Sequence, residues 1–179
     1  MRLQSNVAAG LAALALLAGS GALPPAQAAA GYHASYFGES SFLTLTVGQT
    51  GQFAVGYANT GDQAWVKSTG SQASLHTAAP LDGTADFAAG WSSGWVGAGV
   101  YAHQSIDVVA PGQVGYFVYS VTVPAGTSPG VHHFYGRPAI ESFGFLEDYG
   151  YYQDVNVQSG ALAITGSSPA SPSPVATPI

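Results

Sequence analysis

In Ala110-Pro-Gly-Gln-Val-Gly-Tyr-Phe-Val-Tyr-Ser-Val-Thr-Val-Pro124, a Pro-Gly turn signal opens a run of eleven uncharged residues that a second proline closes. Phe117, Tyr119, Val121 and Val123 share one face at period two. Val114, Tyr116, Val118, Ser120 and Thr122 share the other. The first face is wholly apolar or aromatic and the second is mixed, as in a strand whose sheet packs one side on a core. Such a strand needs a second sheet to cover it. The stretch therefore predicts a small all-β sandwich, and it contains no reaction.

The rest of the chain repeats the pattern in shorter pieces. Phe42 to Val47 and Gln52 to Ala58 are extended runs, with Phe53, Val55 and Tyr57 on the inward face of the second. Gly56 within that run points to a bulge or a close backbone approach. Asn59-Thr60-Gly61-Asp62 is a turn, and Trp65 just beyond it reads as a core anchor. Ala73 and Leu75 belong to another short strand. Residues 77–99 are irregular and Gly-rich, with Trp91 and Trp95 expected to cover one end of the sandwich. Val131 to Arg137 is a strand that Pro138 is expected to end. Tyr151 to Val157 is the last, alternating Tyr151, Gln153, Val155 and Val157 with Tyr152, Asp154 and Asn156. Seven to nine strands with Gly and Pro turns and no helical block predict an antiparallel arrangement.

Both ends read differently. Arg2, the apolar run Val7 to Leu17 and the small-x-small site Ala26-Gln27-Ala28 have the form of a secretory signal peptide, with Ala28-Ala29-Ala30 as a second cleavage site. The apolar run is too short to span a bilayer, so no transmembrane anchor is expected. The expected division is a signal peptide over 1–30, one domain over 31–160 and a Ser/Pro/Ala-rich tail over 161–179. Without Arg2, Lys67 and Arg137 face nine acidic residues, a formal charge of −7 with histidines neutral. That balance argues against nucleic acid as a partner. An exported chain without cysteine must hold itself by its core, or by metal or partners.

Three signals occur in order: Asn59-Thr60-Gly61 followed by Trp65; Pro111-Gly112 opening an aromatic strand that ends at Pro124; and Pro129-Gly130 before an aromatic strand and Phe143-Gly144. Over roughly Ser35 to Val157 this order resembles the immunoglobulin-like "four-tryptophan" domain of autophagy receptors and of bacterial exported proteins, although this chain has three tryptophans. The resemblance implies an immunoglobulin-like antiparallel β-sandwich. It also implies a role as an accessory, spacer or protein-binding module, secreted or at the cell surface.

The residues suggest little catalysis. There is no cysteine, and the glutamates sit in no recognisable pair, so no enzyme activity is expected. His132 and His133 are adjacent, and neighbours on a strand point to opposite faces, so they do not converge on zinc. Asp82 and Asp86 offer calcium too few oxygens. No metal and no cofactor is expected. The expected partner is an extracellular protein or a second copy of the chain, with a neutral glycan as the alternative. Trp91, Trp95, Tyr101, Tyr149 and Tyr152 are the candidates for the interaction face.

Overall fold

The long apolar alternations all become strands. The computed structural model describes residues 28–78 and 90–159. The expected signal peptide up to residue 27, the Asp82 to Asp86 loop and the expected tail lie outside the described residues. The strands are β1 (Ala34–Glu39), β2 (Leu43–Thr46), β3 (Thr50–Asn59), β4 (Trp65–Val66), β5 (Ala73–Thr77), β6 (Ser92–Ser93), β7 (Val100–His103), β8 (Val108–Val109), β9 (Val114–Thr122), β10 (Gly130–Ile140), β11 (Gly144–Phe145) and β12 (Tyr152–Gln158). They form three sheets: β1-β3-β9-β6; β2-β12-β10-β5-β7 with β11 beside β10; and the pair β4-β8.

Twelve strands exceed the expected seven to nine because four of them, β4, β6, β8 and β11, have only two residues each. Two residues show no periodicity, so such pairings are invisible in sequence. One pairing also departs from the expected antiparallel arrangement: β2 runs parallel to β12, Leu43 opposite Val155 through Thr46 opposite Gln158. The chain crosses between layers just before it, and Ser40 pins the crossing to both. Its N–H donates to Ala54 O (2.8 Å) and its hydroxyl accepts from Ala54 N–H (3.0 Å). Its carbonyl accepts from Gln153 Nε2 (2.9 Å).

The core lies between the two larger sheets. Phe53, Val55 and Tyr57 of β3 and Phe117, Tyr119 and Val121 of β9 meet Leu75, Phe134, Val155 and Val157 of the facing layer, all buried. Phe53 touches both sides, 5.4 Å from the Tyr119 ring and 6.1 Å from that of Phe134. The alternation read from Phe117 to Val123 is therefore the inward face. Gly56 sits opposite a bulge, as expected, but what approaches it closely is side chain and not backbone. The register of β1 against β3 slips opposite it, between Tyr36 and Gly38. A Cβ there would also stand 3.0 Å from the Tyr116 ring.

Pro138 does not end β10, which continues to Ile140. Pairing with β12 stops at Tyr135, and pairing with β11 starts at Ala139. The proline occupies the gap, where the ladder requires no N–H, while its carbonyl still accepts from Leu146 N–H (2.9 Å).

The Asn59 turn closes one end. Asn59 is fully buried; its Nδ2 donates to Gln63 O and Val109 O, and its Oδ1 accepts from Gly61 N–H. A Cβ at Gly61 would lie 2.1 Å from Gly31 O, so only glycine fits. The close approach lets the incoming chain dock. Ala29 N–H donates to Thr60 O, Asp62 N–H donates to Ala29 O, and Gly31 N–H donates to Asp62 Oδ1.

Candidate functional site

The outer face of β10 and β12 carries side chains that no other layer of the described residues covers. Period two sends Phe134 into the core and leaves Val131, His133 and Tyr135 outside. On β12 it buries Gln153, Val155 and Val157 and leaves Tyr152, Asp154 and Asn156 on the outer side. Register then sets Tyr135 opposite Tyr152 and His133 opposite Asp154. The Tyr135 and Tyr152 rings are 5.8 Å apart at 43°, and His133 stands edge-on to Tyr152 at 5.8 Å. His133 Nδ1 hydrogen-bonds Asp154 Oδ1. Phe42, at the end of the crossing, extends the row with its ring 5.7 Å from Tyr152 at 39°. The result is a corrugated aromatic band with a single ion-pairing position.

Around the side of the molecule, Tyr36, Glu39, Phe42, Tyr149, Gly150, Tyr151 and Tyr152 line a shallow depression of about 190 Å³. Tyr149 is held there by its hydroxyl, which donates to Ala34 O (3.1 Å). Burial, then the charge of Glu39 and a hydrogen bond to it, push the Tyr36 phenol up. Burial also raises the Glu39 carboxyl; the charge of Asp154 adds to this and the Tyr36 hydroxyl opposes it. Behind Tyr36 lies Tyr57, with ring centroids 6.0 Å apart. Its buried hydroxyl has no hydrogen-bond partner among the described residues, and burial raises it far above the usual phenol range.

The five residues expected to form an interaction face are divided by the structure. Trp91 is buried against His132 (5.0 Å) and Phe134 (5.2 Å). Tyr101 is buried, stacked on Tyr119 at 4.5 Å and 18°, with its hydroxyl donating to Tyr135 O. Trp95 is half-buried, edge-on to Tyr101 at 4.6 Å, with Nε1 donating to Ser120 O (2.7 Å). Trp91 and Tyr101 are core residues without an exposed ring face, and Trp95 packs against that core while staying partly exposed. Tyr149 and Tyr152 are exposed, and both line the depression. Sequence reasoning missed Tyr36, Glu39, Phe42, His133 and Tyr135. The parity of β10 was readable and groups Val131, His133 and Tyr135; which side faced water was not.

A second polar cluster joins β5, β7 and the end of β10. The Ser74 hydroxyl donates to Glu141 Oε1 (2.7 Å) and lies 2.8 Å from His103 Nδ1. Gln72 Nε2 donates to the same Nδ1, its orientation set by Ser68 N–H on Oε1. His103 Nδ1 is thus already occupied and Ser74 is fully buried, so the serine is not arranged as a nucleophile. The cluster pins strand ends together.

His132 points toward Trp91 and His133 toward Tyr152, on opposite faces of β10. Among the described residues no group of three or more His, Asp or Glu is placed to hold a metal ion. No helix among them is long and apolar enough to cross a membrane. No protein-family model and no curated protein matches the chain.

Proposed function

We propose that this chain is a non-catalytic, secreted or cell-surface module of immunoglobulin-like type that binds another extracellular polypeptide through the outer face of β10 and β12. One observation carries the reading: Phe42, Val131, Tyr135 and Tyr152 are large, exposed and gathered on or beside one sheet face, which a solitary soluble domain has no reason to assemble.

Strand order supports the immunoglobulin-like assignment. The order β1-β3-β9 reads as A-B-E and the order β2-β12-β10-β5-β7 as A′-G-F-C-C′, with the split first strand serving both layers; β6, which precedes β7 in the chain, has no place in that lettering. The resemblance to the four-tryptophan domain rests on the sequence motifs, of which the Asn-Thr-Gly turn closes one end here. Export is supported by the apolar run Val7 to Leu17 and the small-x-small site Ala26-Gln27-Ala28 that follows it. The tilt between neighbouring rings, 39° and 43°, favours a polypeptide over a flat glycan surface, which calls for coplanar rings.

The test uses a second copy as the first partner. Sedimentation velocity across a concentration series is expected to show reversible self-association, lost in a Val131→Asp, Tyr152→Ala double variant whose circular dichroism is unchanged. A wild type that stays monomeric and instead binds a glycan, with the same double variant losing that binding, overturns the polypeptide reading in favour of a carbohydrate module.

A further inference from the structure

Tyr36, Phe42, Tyr149 and Tyr152 stand around one depression, and the only charged side chain in its lining is Glu39. All four rings are exposed, and they come from three segments: β1, the crossing before β2, and the approach to β12. No lysine or arginine lines the depression. Arg137 is engaged elsewhere, with Nε donating to Leu146 O and its guanidinium 5.5 Å above the Phe145 ring. Negative charge flanks the site: Asp154 lies close enough to act on Glu39, and Asp148 close enough to act on Tyr57 behind Tyr36.

We propose that this depression binds a small quaternary-ammonium cation of the choline type. The faces of tyrosine and phenylalanine rings attract a cation through their quadrupoles, and a neighbouring carboxylate supplies the counter-charge. The type of cation follows from the hydrogen-bonding inventory. A primary ammonium brings three donors that each need an acceptor. Here the walls are mostly rings, and the Tyr149 hydroxyl is directed at Ala34 O. A fully methylated ammonium needs no acceptor and presents methyl groups to the rings. A volume of about 190 Å³ suits one such group with a short tail, not an oligosaccharide. The carboxylates also disfavour an attached phosphate, so the ligand is the free cation. This site does not depend on the polypeptide reading, although Phe42 and Tyr152 border both.

The experiment is a titration of the ¹⁵N-labelled protein with choline, with 3,3-dimethylbutan-1-ol, which has the same shape without the charge, and with phosphocholine. Choline is expected to shift the amides of Glu39, Phe42, Gly150 and Tyr152 and to bind at least about tenfold more tightly than the alcohol. Phosphocholine should bind more weakly than choline. Glu39→Gln should weaken choline and leave the alcohol unchanged, and Tyr152→Ala should weaken both ligands; these are surface positions, so both variants should keep the wild-type circular dichroism. Equal affinity for choline and the alcohol, shifts elsewhere on the molecule, or no shifts would overturn the proposal. Tighter binding of phosphocholine would overturn the free cation as the ligand. None of these results alters the sedimentation test, so the two readings fail separately.

Discussion

Phe117, Tyr119 and Val121 on β9 and Val131, His133 and Tyr135 on β10 are both period-two runs of large side chains on long strands. The first is sealed between two sheets, where Phe117 is 0% exposed; the second faces outward, with Val131 53% exposed. Composition barely separates them, since each has a tyrosine, a valine and a second ring. What separates them is whether another layer lies opposite. The buried run draws stability from contact on all sides, and the outer run has its contacts still to make. The comparison teaches that aromatic content in this chain measures two different things, a core and a surface that awaits a ligand.

The sharpest way to break that comparison is to truncate one ring on each side. Phe117→Ala should cost about 3–5 kcal/mol through lost transfer energy and a cavity. Urea unfolding followed by tryptophan fluorescence reads the shift in midpoint. If the buried ring proves as dispensable as a surface one, the assignment of β9 as the centre of the core fails.

Asn59→Ala comes next. It removes three hydrogen bonds from a fully buried turn and strands Val109 O, Gln63 O and Gly61 N–H. The expected loss is about 1–3 kcal/mol, read on the same unfolding curve. Faster backbone hydrogen exchange at Ala29 and Gly31, relative to the sheet centre, would show that the turn holds the incoming chain.

A smaller effect should follow pH through His33 and Glu147. The Glu147 side chain raises the His33 pKa from 6.5, so this contribution is full below 6.5 and is lost as pH rises through the higher folded value. Burial penalises the Glu147 charge, but Ala34 N–H and His33 outweigh it and hold the carboxyl below 4.5; that contribution is present above 4.5 and lost as pH falls through the folded value. The pair should therefore stabilise most between 4.5 and 6.5. Both groups are partly exposed and screened, so the amplitude is modest. Tm measured against pH should show the hump in the wild type and a flatter profile in Glu147→Gln.

The smallest expected change is Tyr135→Ala. With no layer above it, the ring should contribute about 0.5 kcal/mol or less to stability. Its loss should appear in the self-association measurement and hardly at all in unfolding. A large unfolding penalty would mean that the outer rings form a second core, and the contrast between the two faces would dissolve.

Much of the fold was legible because it rests on local regularities. The inward faces of β3, β9 and β12 are alternations along single strands, and the turns at Asn59 and Pro111 carry the residues those turns need. Pro138 misled because a proline's cost depends on whether its missing N–H is wanted, which a neighbouring strand decides. Trp91 and Tyr101 misled because size and aromatic character suit a core and a platform alike.

The amino-acid sequence alone determined the class of the structure, the parity of each long strand and the positions of its turns, since backbone period and turn chemistry act over a few residues. Tertiary structure decided which parity faced water, that β2 would lie parallel to β12, and that Tyr36, Glu39, Phe42, Tyr149 and Tyr152 would meet around one depression. The last two outcomes join residues more than a hundred positions apart, and no local pattern encodes the partner across that distance.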